Sequence, residues 1–61
     1  MTIAEKLRKA RGDKTREEVA NAVGVTVSAL SMYERGERVP RDEIKVKLAK
    51  LYKKSVQDLF F

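Results

Sequence analysis

The sequence has no cysteine and no histidine among its 61 residues. Without cysteine there can be neither a disulfide framework nor a cysteine-ligated metal site. Without histidine the chain also lacks a common zinc ligand and the usual general base of enzymes, so we expect no metal and no cofactor. At this length only about 60% of the unfolded surface is buried on folding. We therefore expect one domain, residues 1–61, with a small core.

Long apolar runs are also absent. None approaches the roughly 18 residues that a membrane-spanning helix needs, and the N-terminus lacks the apolar segment of a signal peptide. The expected location is therefore the cytoplasm, at the nucleoid, without a membrane partner.

Groups arranged for catalysis are missing as well. Glu17 and Glu18 are adjacent, as are Asp42 and Glu43, and adjacent residues of a helix point about 100° apart, which does not suit paired acid–base catalysis. The serines have no histidine partner, and there is no glycine-rich phosphate loop. The sequence therefore predicts that the protein is not an enzyme and has no small-molecule substrate.

Charge is plentiful and mostly positive. Lys and Arg number 14 against 9 Asp and Glu, which gives a net charge of +5 and a pI near 9.8. This excess favours an anionic partner, nucleic acid before an anionic membrane. Charge alone fits equally well with a basic surface that binds nothing specifically.

Helical periodicity runs through the whole chain, and no stretch shows the alternation of a half-buried strand. The predicted fold is therefore all-α, a compact five-helix bundle. Capping residues at the starts (Thr2, Thr15, Thr26, Ser55) and glycines at three of the ends (Gly12, Gly24, Gly36) set most of the boundaries. The helices should run from about Thr2 to Arg11, Thr15 to Val23, Thr26 to Arg35, Arg41 to Lys53 and Ser55 to Leu59.

The inner faces follow from the same periodicity. We expect the core to contain Ile3, Leu7, Ala10, Val19, Ala20, Val23, Ile44, Leu48, Leu51, Tyr52, Leu59 and Phe60. Ala20 and Gly24 are small enough to allow a close approach of the third helix, and Val25 should plug the gap between the second and third helices. On the third helix, Thr26, Ala29, Leu30 and Tyr33 fall on the inner side.

The outer face of the third helix is small and lightly polar. The candidates for contact with DNA bases are Val27, Ser28, Ser31 and Met32 on this face, together with the capping residue Thr26 at the start of the helix. The hydroxyls can form single hydrogen bonds and the apolar side chains can pack on thymine methyl groups, but none can form a bidentate contact with a base. Base reading should therefore rely on methyl contacts and DNA shape. Alternatively, Val27 and Met32 could pack against a partner protein.

Lysine and arginine residues flank the central segment of the sequence and are absent from it. The segment from Lys6 to Arg16 contains six basic residues and one acid. The segment from Glu17 to Glu34 contains no lysine or arginine, and three arginines follow it by position 41. Phosphate contacts fix the position of a protein on DNA, while base contacts specify the sequence. Lys14, Arg16, Arg35 and Arg38 are the candidate phosphate contacts, although each taken singly could be an ordinary solvated charge.

The segment TREEVANAVGVTVSALSMYERG, from Thr15 to Gly36, closely resembles the helix-turn-helix of the phage-repressor-like (Cro/repressor, Xre-like) transcriptional regulators. LAKLY, residues 48–52, and SVQDLF, residues 55–60, are similar to the fourth and fifth helices of that family. The resemblance implies double-stranded DNA as the partner and a dimer on a palindromic operator, with the third helix in the major groove and half-sites about 34 Å apart. It also implies a sequence-specific regulator, most often a repressor.

Position by position, the resemblance implies base contacts for Val27, Ser28 and Met32, and a structural ion pair between Arg11 and Glu34. Three departures are visible. Arg16 stands where the family commonly has a phosphate-binding glutamine, and Val27 replaces a glutamine that often opens the third helix. The connection from Gly12 to Lys14 is also short.

A second function class fits the end of the sequence. Leu59, Phe60 and Phe61 form an apolar cluster, which could serve a protein-interaction module or an antitoxin-type partner. Leu59 and Phe60 are better explained as core residues in a chain so short of aromatics. Phe61 is the residue expected to be exposed, and it could serve a dimer interface.

Overall fold

The computed structural model describes residues 1–61 and contains five α-helices and no strand. Their bounds are α1 Ile3–Arg11, α2 Arg16–Val23, α3 Val27–Glu34, α4 Asp42–Leu51 and α5 Val56–Phe60. The predicted all-α, five-helix architecture is confirmed. None of the helices has the length and apolar character to cross a membrane.

The helix starts follow the capping residues of the sequence. The side-chain oxygens of Thr2, Thr15, Thr26 and Ser55 each accept a hydrogen bond from the backbone amide three residues on, at 3.0–3.2 Å. At α1 the Glu5 carboxylate in turn accepts from the Thr2 amide, at 3.2 Å. Hydrogen bonds from the backbone and side chain of Thr2 hold the pKa of Glu5 below its ordinary value. The predicted ranges were a residue too long at these ends because they included the caps.

The start of α4 is different. Arg41 occupies the position before the helix, and its side chain makes no capping hydrogen bond. The helix also ends at Leu51, two residues before the predicted end at Lys53. There the Lys54 amide donates to the Ala49 carbonyl at 2.9 Å, and Lys53 has a φ of 56°, so the chain leaves the helix in a left-handed turn without a glycine.

Gly24 ends α2 and begins the tight turn to α3. Its φ of 77° and ψ of 32° are left-handed, and the amides of Gly24 and Val25 both donate to the Ala20 carbonyl, at 2.9 and 3.0 Å. A Cβ atom added at Gly24 would meet no atom within 4 Å. The predicted role of Gly24 in close helix approach is therefore wrong, and the backbone conformation alone accounts for the glycine.

The core joins all five helices. Helix α3 packs against α1 and α2, while α4 packs against α2 and α5, and α1 also contacts α5. The buried apolar cluster comprises Leu7, Val19, Ala20, Val23, Leu30, Tyr33, Leu48, Ala49, Leu59 and Phe60. Val25, which was predicted to plug the helix-turn-helix, is partly buried against this cluster.

One predicted core residue points outward. Ile3 is 37% exposed, whereas Ala4 and Leu7 of the same helix are buried. Ala4, Leu7 and Arg11 follow the spacing of one helical face, and the partly buried Arg11 faces α3 through an ion pair with Glu34. The orientation of α1 therefore serves both the apolar core and this polar contact, which turns Ile3 towards solvent.

Candidate nucleic-acid interface

The start of α3 presents an uncharged, exposed surface. Thr26, Val27 and Ser28 are all exposed, and 40% of Val27 is accessible although it is a large apolar residue. The inner side of the same helix is anchored by Leu30, which is fully buried, and by Tyr33, which is 5% exposed. The core therefore fixes the helix with these three side chains facing away from it.

Ser31 and Met32 are less accessible than the sequence predicts. Both were expected on the open outer face, and both are half-buried. Helical side chains lean towards the N-terminus over the preceding turn, so part of a long side chain such as Met32 is covered even on the outer side of a helix. The freely exposed surface is therefore narrower than predicted and is centred on the first turn of α3.

The end of α3 is held by a buried carboxylate. Glu34 is 1% exposed, and its Oε2 lies 2.8 Å from Nε of Arg11. Its Oε1 lies 3.2 Å from Nε of Arg16, the first residue of α2. A side-chain nitrogen of Arg8 donates to the Glu34 backbone carbonyl. Three arginines from α1 and α2 thus hold the last residue of the candidate reading helix.

The pairing of Arg16 with Glu34 was not anticipated. Arg16 was expected to meet a phosphate, and the structure shows that its Nε is already engaged while its side chain remains 49% exposed. The signal was present in the sequence, as opposite charges at the first residue of α2 and the last residue of α3. The packing angle of these two helices decides whether those charges meet, and the sequence pattern does not give that angle.

Tyr52 lies within the electrostatic influence of the same carboxylate. Its hydroxyl oxygen is buried and has no hydrogen-bond partner. Burial, followed by the negative charge of Glu34, raises the pKa of Tyr52 to about 12, against the opposing positive charge of Arg11. The hydroxyl is therefore held neutral at physiological pH.

The other candidate phosphate contacts are open to solvent. Arg35 is paired only with exposed Glu37, at 3.2 Å from Nη2 to Oε1, with the two side chains 60% and 57% exposed. Lys14 and Arg38 are exposed and form no salt bridge. Arg38 and Thr26 line the same surface cleft, between the helix-turn-helix turn and the loop after α3. Arg41 and Glu43 line the cleft too, so it brings two cations and one carboxylate close to the start of α3.

The surface offers no obvious metal site, since no group of three or more carboxylates lies together in a way that could hold an ion. Its chemistry is instead that of an uncharged patch at the start of α3, with exposed guanidinium groups beside the patch (Arg38) and at the far end of the helix (Arg16 and Arg35). Such an arrangement can receive a polyanion while leaving the patch free to contact what lies between the charges.

Comparison with known protein families identifies the motif. A family model described as helix-turn-helix matches residues 5–59, which takes in part or all of every helix. The chain belongs to the Cro/repressor-like (Xre-like) helix-turn-helix family. Comparisons with curated proteins and with solved structures found no match.

The matched range includes α2, α3 and the turn from Gly24 to Thr26 that joins them. The family is one of DNA-binding transcription regulators and is not typically enzymatic. It implies double-stranded DNA as the partner of this chain.

Proposed function

We propose that this single domain is a sequence-specific DNA-binding transcriptional regulator, acting as a repressor, that places α3 in the major groove. The observation that carries the proposal is the exposed, uncharged first turn of α3, with the exposed side chains of Arg16 and Arg35 at the opposite end of the helix, where Arg16 bonds Glu34. A major groove about 12 Å wide admits one α-helix. In this arrangement the cations reach the flanking phosphates while the first turn reaches the base edges.

Base reading rests on five side chains with different roles. Val27 and Met32 pack against thymine methyl groups, while the hydroxyls of Thr26, Ser28 and Ser31 form single hydrogen bonds. The Thr26 oxygen already accepts the Ala29 amide at 3.0 Å, which leaves its proton to donate. Because no side chain forms a bidentate contact, the site depends on methyl groups and on DNA shape more than on hydrogen bonds.

Positioning on the backbone rests on Lys14, Arg16, Arg35 and Arg38. Each releases condensed counterions when it neutralises a phosphate, so affinity falls as salt rises. These contacts are independent of sequence and act on every duplex. They should therefore supply non-specific affinity, to which the first turn of α3 adds discrimination.

A homodimer on a palindromic operator completes the proposal. Two copies of α3 about 34 Å apart would enter successive turns of the major groove. Phe61 is 80% exposed, which makes it the apolar side chain we assign to self-association. Sedimentation at micromolar protein tests this assignment, and a strict monomer that stays monomeric on DNA would count against it.

Two substitutions test the division of roles. Met32→Ala should change the order of preference among duplexes, by about 1 kcal/mol at a site with a thymine methyl contact. Arg35→Ala should weaken binding to all duplexes alike and make the salt dependence shallower by about one ion. Fluorescence titration of equal-length duplexes across a range of salt concentrations measures both effects.

The opposite result, with Arg35→Ala altering preference and Met32→Ala acting uniformly, would mean that the roles are reversed. Equal affinity of the unmodified protein for every duplex would defeat the claim of sequence specificity altogether.

A further inference from the structure

The Glu34 carboxylate is divided between two arginines that come from different helices. Oε2 accepts from Nε of Arg11 on α1, at 2.8 Å, and Oε1 accepts from Nε of Arg16 on α2, at 3.2 Å. Glu34 itself belongs to α3 and is 1% exposed. Each oxygen therefore serves one guanidinium, and neither arginine takes up both.

The two arginines differ in what they leave free. Arg11 also donates from Nη1 to the Lys14 carbonyl at 2.8 Å, and its side chain is only 19% exposed. Arg16 makes its one hydrogen bond through Nε and is 49% exposed. The terminal amino groups of Arg16 are thus free to bind another acceptor, while the hydrogen bond to buried Glu34 fixes the position of its guanidinium group.

The charges of this cluster do not cancel. An arginine side chain stays protonated under all ordinary conditions, so one carboxylate opposite two guanidinium groups leaves a surplus positive charge. Arg16 is the more exposed of the pair, and the surplus is therefore presented at the surface, where α2 begins. An anion that binds there completes the neutralisation.

We propose that Glu34 is a positioning residue for DNA binding, which holds the Arg16 guanidinium so that its terminal amino groups meet one backbone phosphate. The proposal rests on the function proposed above and deepens it. A guanidinium fixed in advance loses less conformational freedom on binding than a free side chain does. Because Glu34 is also the last residue of α3, the phosphate contact and the base-reading helix are held in one unit.

This arrangement gives Arg16 a role that its charge alone would not have. A phosphate contact tied to α3 fixes the register of that helix on the duplex, so the geometry of the contact, as distinct from its charge, should matter more for the preferred sequence than for DNA in general. Arg16→Lys keeps the charge but loses the Nε donor and the planar fork. Arg16→Gln loses the charge as well.

Fluorescence anisotropy with two duplexes of equal length tests the proposal, one recovered by selection from a random pool and one of unrelated sequence. Arg16→Lys should lower affinity for the selected duplex about tenfold and leave affinity for the unrelated duplex within about twofold. Arg16→Gln should lower affinity for both and reduce the salt slope by about 0.9. Lys47→Gln changes an exposed residue of α4 that is not among the proposed DNA contacts; it controls for net charge and should leave both affinities within about twofold.

A double-mutant cycle adds the contribution of Glu34 itself. Glu34→Gln should weaken binding to the selected duplex in the otherwise unchanged protein, and should cause no further loss in the Arg16→Gln background. Circular dichroism establishes whether Glu34→Gln folds. Where it does not fold, the Arg16 series decides alone.

The proposal is overturned if Arg16→Lys binds the selected duplex as tightly as the unmodified protein, since charge alone would then suffice. The proposal is also overturned if the losses of affinity caused by Glu34→Gln and Arg16→Gln are additive in the double-mutant cycle. Failure of the proposed function looks different, because the unmodified protein would then bind the two duplexes equally before any substitution is made.

Discussion

Lys53 carries a positive φ of 56°, the only such value outside the three glycines. A left-handed conformation destabilises the folded state by roughly 1–2 kcal/mol for a residue with a Cβ atom. Glycine avoids this strain, but its greater freedom in the unfolded chain offsets about 0.5–1 kcal/mol of the gain. Lys53→Gly should therefore raise the free energy of unfolding by about 0.5–1 kcal/mol, measured by urea denaturation.

The neighbouring lysine supplies a matched control, since Lys54→Gly removes the same charge without relieving a left-handed residue. It should lower stability by about 0.5–1 kcal/mol. If both glycine variants shift stability in the same direction, the strain at Lys53 is not real.

Tyr52 should respond to pH in a particular direction. Burial and the charge of Glu34 raise its pKa from 10.0 to about 12, so the folded state holds the hydroxyl proton more tightly than the unfolded state does. The stability linked to this group is fully present below about pH 10 and is lost as pH rises through 12. Tyr52→Phe removes that loss. At neutral pH the Tyr52→Phe substitution should leave the free energy of unfolding almost unchanged or raise it slightly, because the hydroxyl has no hydrogen-bond partner.

Thermal unfolding of both proteins from neutral to strongly alkaline pH measures the difference. The two chains differ only at residue 52, so the difference between the curves reports Tyr52. Parallel curves through the alkaline range would contradict the assignment.

At the scale of elements, the turn between α2 and α3 depends on one backbone conformation. Gly24 has φ 77° and ψ 32°, with open space where a Cβ atom would lie. Gly24→Ala should cost about 1–2 kcal/mol of stability through strain alone. Gly24→Asn should cost clearly less, since asparagine tolerates this region. Chemical denaturation compares the two, and an asparagine variant as unstable as the alanine variant or worse would point to a steric clash instead.

The elements themselves were predictable because their signals are local. Thr2, Thr15, Thr26 and Ser55 cap the helix that follows within three residues, and Gly24 ends a helix by its own conformation. The exposure of Val27 and Ser28 followed from the 100° rotation per residue. Leu59 and Phe60 are buried, at 1% and 4% exposure, as the shortage of aromatic residues indicated.

The features that were not predicted depend on how the helices pack against one another. Ile3 turned outward because α1 is oriented by Arg11 as well as by Leu7, and the bond between Arg16 and Glu34 depends on the angle between α2 and α3. The partial burial of Met32 depends on its rotamer. Neither helix packing angles nor rotamers are encoded in periodicity, which reports only the face on which a residue lies.

At the scale of the whole molecule, a domain about 23 Å across carries a net charge of +5. Arg16 and Arg35 lie at the end of α3, Arg38 shares a cleft with the start of that helix, and the first turn of α3 itself bears no charge. A polyanion is therefore attracted to the surface as a whole, while discrimination is left to a few small side chains. Such a division favours a regulator that scans DNA readily and recognises its operator through methyl groups and shape.

Selection of bound duplexes from a random DNA pool tests this account most directly. We predict an enriched palindrome whose half-sites are about 34 Å apart from centre to centre, with thymine at positions in each half. Substituting Val27 or Met32 should shift the preferred bases there. Recovery of a pool with no enriched sequence, at an affinity equal to that for unselected DNA, would contradict it.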